Sequence, residues 1–71
     1  MNQKQMKEMG QQFYEWRIAK DWSQALTAKK LGITGTYLSH LENGKSSPSL
    51  HLMYKIAALF NKKLIVKFVK K

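Results

Sequence analysis

Seventy-one residues allow one small domain, here 1–71, with a limited core, so a second subunit is an expected source of stability. The absence of cysteine rules out disulfides and thiolate metal sites and fits a reducing cytoplasm, and no apolar run approaches a membrane span. Thirteen Lys+Arg against four Asp+Glu give a formal charge of +9, which points to a polyanion; the charge is spread along the chain, which favours nucleic acid over a membrane surface.

Met1–Gln5 is polar and is expected to fray. Met6 to about Lys20 reads as a first helix, with Met9, Phe13 and Trp16 on one face as core. Asp21-Trp22 ends it, with Trp22 folding back onto that core. Ser23 is the N-cap candidate of a second helix running to Leu31, with Gln24 in its first turn. A helix start presents free N–H groups and partial positive charge, which suits a phosphate. Lys29 and Lys30 favour the other end of the dipole, so a structural role serves them as well as phosphate contact does.

Gln24–Lys45 organises the chain. It has the spacing of two short helices joined by a tight turn, the helix-turn-helix pattern, with the motif itself over 24–42. Ala28 allows close crossing, Gly32 supplies a left-handed turn residue, Ile33 plugs the turn and Thr34 caps the second helix. Leu38 and Leu41 turn inward. The outer face of that helix, about Gly35 to Glu42, carries Gly35, Thr36, Ser39 and His40, and Tyr37 is expected to face bases with them, with backbone contact or packing on the preceding helix as its other readings. Thr36 offers a hydroxyl and a methyl, Ser39 a hydroxyl and His40 a ring nitrogen to base edges. The helix has no Arg, Asn or Gln, so DNA shape is expected to supply part of the discrimination. An ordinary helical hairpin is the plainer alternative. His40 and His51 are too isolated to form a metal site, and no cofactor or catalytic cluster emerges from the spacing, so an enzyme is not expected.

Asn43 to Pro48 is a loop of turn formers. Asn43, Gly44 and Lys45 offer an amide, open N–H groups and a cation to phosphate. Ser49 caps a further helix, Leu50 to Phe60, with Leu50, Met53, Ile56, Ala57 and Phe60 inward and Leu52 and Leu59 off that stripe. Asn61 ends it. Leu64–Val69 is β-branched and aromatic, and reads as a strand rather than an added helical turn. Leu64, Ile65, Val66 and Phe68 are its dimer-forming candidates, pairing antiparallel with the same strand of a second subunit.

The chain resembles the phage repressor/Cro-type (xenobiotic-response-element) helix-turn-helix family. The likeness runs through Met9–Gly10, Trp16–Arg17, Ser23–Gln24, Leu31–Gly32, Tyr37–Lys45, Pro48–Leu50 and Lys55–Phe60. It implies an all-α, compact four-to-five-helix repressor-like domain. With the strand at 64–69 added, the expectation is a homodimer that represses transcription from a near-palindromic site on double-stranded DNA. The resemblance also implies that Arg17 pairs with Glu42, that Gln24 touches DNA backbone or a base edge, and that the loop after the second motif helix lies along phosphate. Thr27 stands where the family usually buries Leu, and Leu26 where it usually has a polar residue. Either that helix is rotated or Leu26 is an exposed apolar contact. The terminal strand resembles the antitoxin subgroup, which implies a kinase-like toxin as an alternative partner.

Overall fold

The computed structural model describes residues 1–70, and among these the secondary structure is four α-helices: α1 (Gln3–Ala19), α2 (Gln24–Leu31), α3 (Gly35–Glu42) and α4 (Leu50–Leu59). One local grammar sets all the boundaries. Asn2, Ser23, Thr34 and Ser49 sit in extended conformation, and each side chain accepts a bond from an N–H in the first turn. At the other ends Asp21, Gly32, Gly44 and Asn61 adopt positive φ, between 55° and 72°. Each lets the next N–H reach back to a carbonyl of the last turn: Trp22 to Arg17, Ile33 to Ala28, Lys45 to His40 and Lys62 to Ala57.

α1 starts three residues earlier than the apolar periodicity predicts. Asn2 and Gln5 form a reciprocal capping box, so Met1–Gln5 is not a frayed lead-in. α2 and α3 match their expected ranges, and α4 ends one residue before Phe60.

α1 packs on α3, α3 on α2, and α2 on α4. The shared core is Phe13, Ala28, Leu31, Leu38, Leu41, Leu52, Ile56 and Phe60. Beside it the rings of Phe13, Trp16, Phe60 and Trp22 follow one another at 5.7–5.9 Å between centroids, all tilted. The inward stripe of α4 differs from the expected one. Leu52 is buried and Leu50 is 47% exposed, because the stripe follows Leu52, Ile56 and Phe60 at fourfold spacing. Leu50 lies about 200° round the helix from Leu52.

The Thr27 question resolves without any rotation of α2. Thr27 is buried in the leucine position, and its hydroxyl donates to the Ser23 carbonyl at 2.9 Å; Leu26 is exposed. Lys55 of α4 donates to the Leu31 carbonyl at 2.7 Å, placing a cation on the negative end of α2.

Leu64–Val69 is not a strand within the chain. Residues 62–70 run without regular structure, and among the described residues no segment pairs with them. A strand needs a partner for its N–H and C=O groups, and four helices offer none. Ile65, Val66, Phe68 and Val69 are left exposed.

Candidate nucleic-acid interface

Gly32 fixes the angle between α2 and α3 through its left-handed φ of 72°, and the buried Ala28, Leu38 and Leu41 hold the two helices against each other. Thr34 then starts α3 by accepting the Tyr37 N–H at 3.0 Å. Thr36 and His40, one turn apart, are exposed on the side of α3 away from the core. Gly35 and Ser39 are half-buried beside them. Tyr37 is half-buried beside them and packs against the core.

Beneath this face lies a buried ion pair. Arg17 Nε donates to Glu42 Oε2 at 2.7 Å and Nη2 to Oε1 at 3.0 Å, a two-pronged geometry matched to a carboxylate. The third guanidinium nitrogen, Nη1, donates to the Trp22 carbonyl at 2.9 Å. The hydrogen bond to Glu42 raises the Arg17 pKa above its ordinary value against the opposing effect of burial, so the guanidinium stays charged wherever the chain is folded.

The same buried carboxylate is linked to the half-exposed Gln24. Gln24 Nε2 donates to Glu42 Oε1 at 3.0 Å, which brings the start of α2 beside the end of α3. Gln24 and Glu42, separate in sequence, therefore meet at one buried charge pair, with Asn43 following directly in the chain. Gln24 has one amide donor committed to that pair. The Ser23 hydroxyl is committed to the Leu26 N–H, while the first turn of α2 leaves the Gln24 and Ala25 N–H groups without intrahelical acceptors.

The loop differs from its expected chemistry. Its N–H groups are not open: those of Asn43, Gly44 and Lys45 donate back to Ser39, Leu41 and His40. The Asn43 amide donates to the Ser39 carbonyl at 2.8 Å, and Gly44 is buried. What remains for an anion is the exposed Lys45 side chain. Composition of a turn does not reveal that its donors are used in closing a helix.

Two close contacts of α1, a helix outside the expected site, support it. Gly10 is buried in α1 where a Cβ would collide with the Leu41 carbonyl oxygen and stand 2.7 Å from that of Glu42, so α1 and α3 touch backbone to backbone. Gly44 is pressed against α1 in the same way: its Cβ would stand 2.9 Å from the Lys7 Cα. This contact carries Lys7 to the loop beside Lys45. The sequence signal for the early α1 was Asn2-x-x-Gln5, a capping-box spacing.

Residues 13–66 match the Helix-turn-helix family. The chain belongs to that family. Its members are DNA-binding regulators of transcription rather than enzymes. An uncharacterized HTH-type transcriptional regulator of Archaeoglobus fulgidus is 42% identical over 50 residues, covering 70% of this chain and 71% of the relative. The ImmF control region 10 kDa protein of Bacillus phage phi105 is 40% identical over 55 residues, covering 78% of this chain and 61% of that protein. Among solved structures, the restriction-modification controller protein C.AhdI from Aeromonas hydrophila superposes with a TM-score of 0.79 at 28% identity, covering 86% of this chain and 88% of that one. The helix-turn-helix chain is thus an all-α DNA-binding regulator of transcription. No described helix is long and apolar enough to cross a membrane.

Proposed function

We propose that this helix-turn-helix protein is a dimeric repressor that binds a near-palindromic operator in the cytoplasm, with the whole of 1–71 acting as one DNA-binding domain. The observation that carries the reading is the Gln24–Glu42 bond, which brings a helix start and the end of α3, with Lys45 just beyond, to one edge of the exposed α3 face. Phosphate is held at that edge by the α2 N-terminus and by Lys45, while Thr36, Ser39 and His40 face bases. A controller protein and a phage control-region protein among the relatives support regulation of a promoter. The antitoxin reading adds a toxin partner for which the exposed tail is the sole support, so DNA remains the partner proposed.

Charge and readout separate experimentally. Lys45→Ala should weaken specific and scrambled duplexes alike and lower the salt slope by about one. His40→Ala should relax preference at one or two base positions and leave the slope unchanged. Titrations at several salt concentrations measure both, and normal binding by both variants would move the interface to another face.

Dimerisation is assigned to Leu64–Val69, with Leu64, Val66 and Phe68 on one face of a cross-chain strand pair. Two copies so joined would present two α3 helices about 34–36 Å apart, one turn of DNA. Ladder N–H groups alternate in direction along a strand, so one of Ile65→Pro and Val66→Pro must remove a cross-chain bond while keeping every lysine. That variant should sediment as a monomer and lose roughly 10²–10⁴-fold in full-site affinity, the scale of a lost second binding module. If both variants remain dimeric, another surface makes the dimer.

A further inference from the structure

A mainly apolar groove of about 300 Å³ lies between α1 and α4, walled by Met9, Phe13, Trp16, Met53, Ala57 and Leu64, with Gln12, Lys62 and Lys63 completing its lining. It exists because α1 and α4 both pack on the central helices and hardly on each other. Met9, Trp16 and Met53 are only half-buried, so their apolar surface faces the opening. Leu64 belongs to both the groove wall and the tail: the chain leaves the body at the groove's rim. Four residues further on, Phe68 is fully exposed (104%) and meets nothing on its own chain.

We propose that this groove is the seat of Phe68 from a second copy of the chain. The inference rests on the strand-paired dimer, and the strand's own pattern supplies the register. Of the residues in the tail, Leu64, Val66 and Phe68 alternate on one face, with Lys67 on the other. An antiparallel pair whose two-fold axis passes through Val66 sets each Phe68 opposite Leu64 of the other copy and gathers all six apolar side chains on one face. A shift by one residue would bring Lys67 onto that face. In the Val66-centred register, Phe68 arrives beside the Leu64 that walls the other copy's groove. Two-fold symmetry repeats the contact, so each copy gives one ring and receives one. The thioethers of Met9 and Met53 suit a ring edge; Trp16 adds an aromatic wall, over which Lys62 lies at 5.5 Å from the ring centroid. The groove is incomplete without the second copy.

The 71-residue chain has no cysteine, which permits a clean test. Phe68→Cys and Met53→Cys variants are purified separately, mixed, re-equilibrated and treated with a short thiol-specific cross-linker. A heterodimer linked between the two positions is expected, identified by peptide mass. Phe68→Ala should raise the dimer dissociation constant roughly tenfold or more, as loss of a central aromatic anchor does, while Phe68→Met should largely retain the dimer. A Val66→Cys variant tests the pairing itself, because the two copies of residue 66 meet on the axis. Linkage at Val66 with none between positions 68 and 53 would overturn the groove assignment and leave the strand pairing standing. Failure at Val66 together with a monomer in sedimentation would overturn the dimer. A double variant that links only within one chain would show the tail folding onto its own groove, and would overturn the exchange.

Discussion

Replacing Arg17 or Glu42 singly by an apolar residue should destabilise the fold by roughly 3–5 kcal/mol, because either change strands the other charge in a buried site. Their side chains are only 9% and 3% exposed. The double replacement should cost far less than the sum. Denaturant unfolding of the four species gives the coupling directly, and simple additivity would mean that the two groups do not depend on each other. The cycle has a functional arm as well. Glu42 also receives the Gln24 amide, so an Arg17 variant that still folds should hold its α2 start less firmly and bind DNA more weakly than its residual stability implies.

The second large effect is expected at Gly10. Alanine in the middle of an ordinary helix is favoured over glycine by roughly 0.5–1 kcal/mol. Here the added methyl would meet the backbone oxygens of Leu41 and Glu42, which cannot rotate aside as a flexible side chain would. Gly10→Ala should therefore destabilise by about 1–3 kcal/mol, the usual range for overpacking. Thermal or denaturant melting reads the sign, and the sign decides the matter. A stabilised variant would mean that α1 and α3 stand further apart than the backbone contact requires.

The parts of the fold legible in the sequence are those written in local chemistry. Ser23, Thr34 and Ser49 each precede an apolar-periodic run and each caps a helix. Gly32 and Asn61 stand where a left-handed residue ends one. Arg17–Glu42 spans 25 positions, and no periodicity joins them; only the resemblance to repressors pointed to that pair. The apolar run of α4 admits two helical phases, and burial of Leu52 in the shared core, rather than Leu50, chooses between them. The loop donors differ from expectation for a related reason. Asn43-Gly44-Lys45 has the composition of an open turn, yet the left-handed Gly44 folds its N–H groups back onto α3. The tail's composition favours a strand, but whether it pairs depends on a second chain.

Gly35 opens α3, and a Cβ built there meets nothing within 4 Å. The position is vacant without being structurally required, unlike Gly10, Gly32 and Gly44. Every glycine codon lies one nucleotide from an arginine codon, and arginine is the side chain that most often reads guanine in a major groove. A single mutation can thus give the proposed DNA-facing helix a long cationic reader with no core to repack. For a gene duplicated within one genome, that is a short path to two regulators that ignore each other's sites.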